Sequence, residues 1–420
     1  MSKAVALVST VDPFPADTGK KVVLAGFLEY LNDRVGRHNV HYVVVGEPAT
    51  VDFPAHLHRV PKPGALAALA TVLIRTGTGR SSLQESLLRT RGVRDAIHRA
   101  LDQISPTLEI YDTIRMAQYA PAHSNNQQIC YFDDLFSKRY ETMLDATYRY
   151  PDVDIQALGN FAAFVPQRLR PLAEYQPSQR LLLRLEESLV RRSEDRNVRR
   201  FGTTLLLNEG EADHLRRRSG VDRRRIQAIP PLIRQPVRIS REYDGAPEFV
   251  FLGQLLLPHN DDGLRSFLMN VWPLVLAARP DARLRVVGRH PRRALIDLVA
   301  RHAGTVTLEG FVPDLNEIFS RSAAMVNPLR FGSGIKLKII DALSGGLPVI
   351  STSIGADGVA TGSEQGVLVA NDDAVLAELL LEVTDCAKNV QLSSAAREHF
   401  LSHYSREPVM ARYDAAFGLG

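Results

Sequence analysis

Residues Asn327–Thr352 read NPLRFGSGIKLKIIDALSGGLPVIST, and they predict a strand, a glycine-rich turn and a helix in succession. The turn is Phe331-Gly332-Ser333-Gly334, and the helix is predicted to start near Ile335. Glycines let a backbone approach a ligand closely, and the free N–H groups at a helix start favour phosphate. Lys336 and Lys338 add positive charge where the helix dipole is already positive, which indicates a bound anion. We therefore expect a phosphate-binding loop rather than a plain connection with surface lysines.

Asp341 lies further along the same predicted helix. A carboxylate at this depth can accept hydrogen bonds from two vicinal hydroxyls, as a ribose offers. Taken alone, Asp341 is interpreted as a solvated helical residue. Beside a phosphate loop, it favours a nucleotide site.

Short apolar runs alternate with helix-length segments in both halves of the 420 residues, which predicts parallel sheets. The proline- and glycine-rich stretch between the halves predicts a linker. We expect an α/β protein of two Rossmann-like domains that face each other across a cleft. The predicted parts are an N-terminal acceptor domain over 1–228, the linker over 229–247, a C-terminal donor domain over 248–400, and a last helix over 401–420 that crosses back to the N-terminal domain.

The stretch GSGIKLKIIDALSGGLPVISTSIGADGV, residues 332–359, resembles the nucleotide-sugar site of retaining, group 1 type glycosyltransferases of the GT-B fold. The resemblance extends through the second half, and its subgroup is similar to the PEP-CTERM or exopolysaccharide-associated sugar transferases. It implies a glycosyltransferase that moves a sugar from a nucleoside-diphosphate sugar to an acceptor hydroxyl. It also implies retention of anomeric configuration and no metal or other cofactor.

In the family's terms, Lys338 pairs with the diphosphate and assists its departure, Asp341 holds the ribose, and the Gly310–Val312 loop faces the base. Two departures stand out: Ser333 occupies the position of a usual Glu, and no cation pair follows Gly253. The full set expected at the donor is Gly19, Gly253, Arg289, Phe311, Val312, Gly332, Ser333, Gly334, Ile335, Lys336, Lys338 and Asp341.

A second polar cluster follows the apolar strand that ends in CYFDD. The carboxyl ends of parallel strands are where ligands bind in open α/β sheets. We expect Asp134, with Asp133, Ser137 and Arg115, to contact the acceptor, and Asp134 is the predicted catalytic carboxylate. The alternative is that the Asp pair caps the following helix.

The amino-acid composition excludes a disordered or fibrous protein. With 45% hydrophobic and 23% charged residues the chain is typical of a globular enzyme, and we expect a cytoplasmic protein because it lacks a signal peptide pattern. Between Arg168 and Arg234 lie 16 Arg and 9 acidic residues, a net charge of +7. This segment is either a solvated helix face or a surface that attracts the inner membrane face. It lacks interleaved aromatics, which disfavours nucleic-acid binding.

No metal site is expected, since no Cys/His cluster exists and Asp152-Val-Asp154 is interpreted as a loop.

The partners expected are a UDP, GDP or dTDP sugar and an acceptor that is a lipid-linked glycan, a protein or a small metabolite. Two alternatives stay open: a non-catalytic glycosyltransferase-like partner subunit, suggested by Ser333, and a GT-B sugar-nucleotide epimerase. A dehydrogenase is disfavoured, because no G-x-G-x-x-G follows the first strand.

Overall fold

The computed structural model describes residues 4–47, 52–150, 176–233 and 240–419. These residues form two compact units. The first comprises the described residues of Met1–Leu144, Ala157–Arg234 and Arg406–Gly420, and the second those of Asp145–Gln156 and Gln235–Ser405.

The first unit contains a parallel sheet whose seven described strands lie in the order β3-β2-β1-β4-β5-β6-β7. Buried runs of Val, Ile, Leu and Tyr form its central strands, as expected for a sheet covered on both faces. The strands are β1 Val5–Ser9, β2 Val40–Val45, β3 His56–Val60, β4 Leu108–Asp112, β5 Gln127–Asp133, β6 Thr203–Leu206 and β7 Ile226–Ala228. The α-helices that precede the second sheet in the chain are α1 Gly19–Val35, α2 Ala65–Thr71, α3 Leu83–Ser86, α4 Arg91–Ile104, α5 Thr113–Ala117, α6 Phe136–Arg149, α7 Gln176–Arg200 and α8 Glu209–Ser219.

The second unit is a parallel sheet of six described strands in the order β10-β9-β8-β11-β12-β13. Its strands are β8 Glu248–Leu252, β9 Arg283–Val287, β10 Val306–Gly310, β11 Ala324–Asn327, β12 Val349–Ser351 and β13 Val367–Val369. The helices that follow are α9 Pro258–Asn270, α10 Trp272–Ala278, α11 Arg293–Arg301, α12 Asn316–Arg321, α13 Leu337–Ser344, α14 Asp373–Glu382 and α15 Cys386–His403. The predicted α/β class with two Rossmann-like sheets is confirmed.

The last helix, α16 Arg406–Phe417, belongs to the first unit. Tyr413 is 1% exposed, and its ring lies 5.1 Å from both Phe27 and Tyr30 of α1. Asp414 accepts hydrogen bonds from Arg34 and from the Tyr30 hydroxyl. The helix starts five residues later than the predicted 401, because the chain up to His403 is still part of α15.

Each sheet has one point at which the direction of chain progression reverses. It lies between β1 and β4 in the first sheet and between β8 and β11 in the second. The strands that flank such a point diverge beyond their carboxyl ends, and this crevice is where open α/β sheets bind ligands. The predicted site residues must therefore be judged by their distance from these two strand ends.

Among the described residues, no helix is both long and apolar enough to cross a bilayer.

Candidate functional site

The glycine loop follows β11 at the reversal point of the second sheet. Gly332 has φ of 131° and Gly334 has φ of 73°, a region of backbone space that side chains with a Cβ rarely adopt. The loop turns the chain into α13, whose N-cap residue is Lys336, so the helix starts slightly later than predicted. Among the described residues, no side-chain capping hydrogen bond is made at this helix start. Its first N–H groups are therefore available to an anion.

The two lysines of the loop differ in what they contact. The Lys336 ammonium donates to the carbonyl oxygens of Ser333 and Gly334, at 2.9 and 2.5 Å. Lys336 thus ties the glycine loop together from within. The Ser333 position contributes its backbone carbonyl to this arrangement.

The surroundings of the Lys338 ammonium strongly shift its pKa. Its ammonium donates to the Asn260 Oδ1 atom at 3.1 Å and lies 4.8 Å from the centroid of the buried Phe251 ring. Burial, with a smaller contribution from the nearby charge of Lys336, lowers the pKa of Lys338 to about 7. Within the described ranges of the chain, its ammonium lies in no ion pair. Binding of an anion beside such a desolvated amine favours its charged form.

Asn260, which sequence reasoning missed, lies in α9 after β8, across the reversal point from the glycine loop. Gly253 lets it approach, since a Cβ there would stand 2.9 Å from the Asn260 amide nitrogen. The Asn260 amide also donates to the Gln254 carbonyl, at 3.0 Å, which orients its oxygen toward Lys338. Its sequence signals were the polar run HND after a predicted strand and an imperfect match to the Pro-Asn pair that follows the first Gly in similar sequences.

Asp341 lies in the second turn of α13, on the same helix as Lys338. Burial raises the pKa of its carboxyl to about 6. Helix α13 therefore carries an acid and a base whose charged forms are both disfavoured by their surroundings. Such perturbed pairs cluster at binding and catalytic sites.

Arg289 and Phe311 form an exposed stack that follows β9 and β10. The guanidinium lies 3.8 Å from the ring centroid, and Phe311 is 58% exposed. Val312 next to it is half-buried. Arg330, by contrast, pairs with Asp262 through bonds of 2.8 and 2.5 Å, and its charge is already balanced.

A second cluster lies at the reversal point of the first sheet. The Lys20 ammonium lies 2.5 Å from Asp112 Oδ1 and 3.4 Å from Asp133 Oδ2. Ser9 donates to the other Asp112 oxygen at 2.7 Å, and Tyr131 donates to Asp133 at 2.7 Å. Burial of Lys20 acts to lower its pKa, but the two carboxylates outweigh this and the pKa is raised.

Strained backbone marks the same strand ends. Thr113 has φ of 63° and Asp133 has φ of 71°. A β-branched residue in this region is a conformational outlier, and such outliers cluster at functional sites. Asp133 is therefore placed as a partly accessible carboxylate with a fixed orientation.

Of the first-sheet residues predicted from the sequence, Asp133 joins this cluster and the other three are bound elsewhere. Asp134 is 6% exposed and accepts both hydrogen bonds of the Arg139 guanidinium. Ser137 bonds to the buried Glu194, which also pairs with Arg218. Arg115 donates to the Gln84 side chain at 2.7 and 2.9 Å.

Gly19 is the first residue of α1 and is exposed. The residue that reaches the strand ends is its neighbour Lys20, which the sequence analysis did not single out. Its signal was a lysine directly after a predicted loop glycine. Asp112, which follows an apolar strand, carried the same signal as Asp133.

Among the described residues, no group of three His, Cys, Asp or Glu side chains is arranged to hold a metal ion. Asp152 and Asp154 lie outside the described residues.

Residues 246–385 match the family model described as Glycosyl transferases group 1. This part of the chain is similar to the domain of group 1 glycosyltransferases. The matched range contains the glycine loop, Lys338, Asp341 and Asn260. All the predicted donor residues except Gly19 lie within this range.

Two curated relatives match part of the chain. An uncharacterized 44.6 kDa protein in the cps region of Klebsiella pneumoniae is 29% identical over 34% of this chain and 37% of its own length. A GDP-mannose-dependent monoacylated alpha-(1-6)-phosphatidylinositol monomannoside mannosyltransferase of Corynebacterium glutamicum is 26% identical over 45% of this chain and 52% of its own. The chain thus spans about two fifths to one half of these relatives.

Solved structures match nearly the whole chain at low identity. Sucrose-phosphate synthase from Thermosynechococcus elongatus has a TM-score of 0.67 at 14% identity, covering 98% of this chain and 97% of that one. S. aureus TarM, in a complex with UDP, has a TM-score of 0.65 at 11% identity, covering 99% and 100%. WaaG, a glycosyltransferase involved in lipopolysaccharide biosynthesis, has a TM-score of 0.58 at 14% identity, covering 99% and 100%. The fold is GT-B.

We predict that Lys338→Met and Asp341→Asn each raise the melting temperature of the ligand-free protein at pH 7. Between pH 7 and 10.5 the unfolded chain keeps the Lys338 proton and the native chain loses it, so the lysine's destabilising effect is complete below about pH 7. Between pH 3.8 and 6 the native chain keeps the Asp341 proton that the unfolded chain loses, so its effect is complete above about pH 6. Removal of either charge should raise the melting temperature by at least ~2 °C, measured by calorimetry.

Lys388→Met is the matched control, because Lys388 is an exposed lysine of the same unit paired with Glu382. Its melting temperature should stay within about 1 °C of wild type, as for most surface changes. A fall in melting temperature for Lys338→Met beyond that of the control would mean that Lys338 is a structural residue.

Proposed function

We propose that this protein transfers a sugar from a nucleoside-diphosphate sugar to an acceptor hydroxyl, independently of metal and with retention of anomeric configuration. The observation that carries the proposal is the desolvated Lys338 ammonium at the uncapped start of α13, behind the glycine loop. Retention and metal independence come from the family resemblance. The group 1 domain and the GT-B fold support the class of reaction.

The donor diphosphate would lie against the loop Gly332–Gly334 and the first N–H groups of α13. Lys338 would regain its proton there, held in place by Asn260. As the bond between the anomeric carbon and the diphosphate breaks, negative charge develops on the leaving oxygen. A cation and backbone dipoles already oriented toward that oxygen stabilise it without reorganisation.

The remaining donor contacts follow from where the other side chains lie. Asp341 is placed one turn along α13 from Lys338, and it would accept hydrogen bonds from the ribose hydroxyls. The exposed stack of Phe311 and Arg289 offers a flat face to the base. Two similar proteins, one bound to UDP and the other dependent on GDP-mannose, support a nucleotide donor.

In the first unit, Asp133 is the better candidate than Asp134 for contact with the acceptor hydroxyl. Asp134 is buried and bound to Arg139, whereas the Asp133 side chain is 17% exposed and lies at the strained end of β5. Lys20 and Tyr131 orient the Asp133 carboxylate. The Asp133 carboxylate would accept a hydrogen bond from the acceptor hydroxyl. The hydroxyl oxygen bonds to the anomeric carbon as the bond to the diphosphate breaks, and the hydroxyl proton passes to the leaving diphosphate oxygen.

The first test measures the binding of UDP, GDP and dTDP to the protein by calorimetry and by thermal shift. We expect one nucleotide to raise the melting temperature of the wild type clearly. Lys338→Met should weaken its affinity by at least ~30-fold, because a half-buried charged contact is removed. Lys388→Met should bind as wild type does.

If none of the three nucleotides binds the wild type, the donor site assigned here is wrong. The Ser333 substitution would then favour the non-catalytic partner subunit. If a nucleotide binds but its sugar conjugate is converted to an epimer without an acceptor, the epimerase alternative is correct.

We also predict that Asp133→Asn lowers kcat for sugar transfer by ~10²-fold, a size typical of losing one positioned acid–base or hydrogen-bonding group. Nucleotide affinity should stay within twofold of wild type. Transfer is measured as nucleotide release with alkyl glycosides supplying the hydroxyl. Asp102→Asn, at an exposed helical Asp of the same unit, is the control.

Asp134→Asn serves as the contrast in this experiment. It should lower the melting temperature, because it leaves Arg139 beside a neutral amide. If Asp133→Asn transfers sugar at the wild-type rate, Asp133 does not contact the acceptor.

A further inference from the structure

The first unit presents an exposed row of large aliphatic side chains on α2 and the π-helical turn Val72–Thr76 that continues it. Leu66 is 86% exposed, Leu73 is 66%, Ile74 is 61% and Leu69 is 44% exposed. Their spacing of three, four and one residues places them along one side of the helix. These four residues are called the aliphatic face below.

The opposite side of the same segment is anchored in the unit. Ala68 is 1% exposed and Thr76 is 9% exposed. The Thr76 hydroxyl donates to Ser86 Oγ at 2.9 Å. The aliphatic face is thus a fixed feature of the surface, and contiguous exposed apolar side chains mark interaction sites.

The charged residues of the chain segment that carries the aliphatic face have one sign. No Asp or Glu occurs among the 32 residues from Phe53 to Gln84, and this run contains Arg59, Lys62, Arg75 and Arg80. Within the part of the chain that the structure describes, none of these four cations lies in an ion pair. Arg59, Lys62 and Arg80 are exposed. Lys62 precedes α2 by three residues, Arg75 lies within the π-helical turn and Arg80 follows it. A chain segment that combines exposed aliphatic side chains with cations and no acid is complementary to a surface that is apolar inside and anionic outside.

We propose that the aliphatic face docks this protein onto the surface of a bilayer that contains anionic lipids. Leu66, Leu69, Leu73 and Ile74 would enter the boundary between headgroups and acyl chains, with the helix lying in the plane of the membrane. The four cations would contact the headgroup phosphates, each adding about fivefold to the affinity. None of these residues belongs to the donor or acceptor sites, so the inference goes beyond the proposed function and does not depend on it.

A second copy of this chain fits the face less well. A symmetric pairing of two such faces would bring the four cations of each copy together. Four aliphatic side chains also supply far less area than the roughly 800 Å² per partner of a stable interface.

The basic segment between Arg168 and Arg234, in which the sequence analysis saw a membrane-attracting alternative, is less suited to this role in its described part. Arg216 pairs with Glu209 and Asp213, and Arg218 pairs with Glu194 and Asp195. Arg225 donates to three backbone carbonyls. These arginines hold the unit together.

The experiment is co-sedimentation of the full chain with vesicles of phosphatidylcholine alone and of an equal mixture of phosphatidylcholine and phosphatidylglycerol. We expect binding to the mixed vesicles only, and its loss at ~0.5 M NaCl, where charges are screened within a few Å. Leu66→Ser with Leu73→Ser should weaken binding by at least ~10-fold. Lys62→Ser with Arg80→Ser should do the same.

Leu181→Ser with Leu185→Ser is the matched control, because these exposed leucines of α7 are 69% and 42% exposed outside the aliphatic face. This variant should bind like wild type. Equal binding of wild type and the Leu66/Leu73 variant, or binding to neutral vesicles alone, would overturn the proposal. So would a wild-type dimer in gel filtration that the Leu66/Leu73 variant turns into a monomer while vesicle binding is absent.

Discussion

The second unit depends on the cost of placing the Lys338 ammonium where water cannot reach it freely. Burial lowers its pKa to about 7, and its ammonium donates a hydrogen bond to a neutral amide, that of Asn260. The neighbouring features follow from this constraint: the glycine loop leaves backbone N–H groups uncovered, Gly253 makes room for Asn260, and Lys336 closes the loop. An arrangement of this kind is unfavourable in the free protein and becomes favourable when an anion binds.

The same geometric rule places the candidate residues in both sheets. Where strand order reverses, adjacent strand ends diverge, and side chains from both sides can meet over the gap. In the second unit Asn260 and Lys338 meet in this way, and in the first unit Ser9, Lys20 and Asp112 do. The two clusters have opposite electrostatics. Among the described residues Lys338 lies in no ion pair, whereas Lys20 is balanced by two carboxylates. This contrast suits an anionic donor at the first cluster and a neutral hydroxyl at the second.

The strand–helix alternation and the glycine loop could be predicted from the sequence, because both depend on residues close together in the chain. The role of Asp134 could not be judged in that way. Two adjacent Asp residues look equivalent in a sequence, and only the position of Arg139 and the backbone twist at Asp133 distinguish them. Asn260 was missed for a related reason, since it meets Lys338 across 78 residues of chain.

The account is tested most directly by counting the protons taken up when a nucleoside diphosphate binds at pH 8. Isothermal titration calorimetry in two buffers of different ionisation enthalpy gives this number. With a pKa of about 7, roughly nine tenths of Lys338 is neutral at pH 8, and a bound diphosphate should recharge it. We predict an uptake close to one proton per nucleotide in the wild type and none in Lys338→Met. Binding without proton uptake, or equal uptake in both proteins, would contradict the central role given to Lys338.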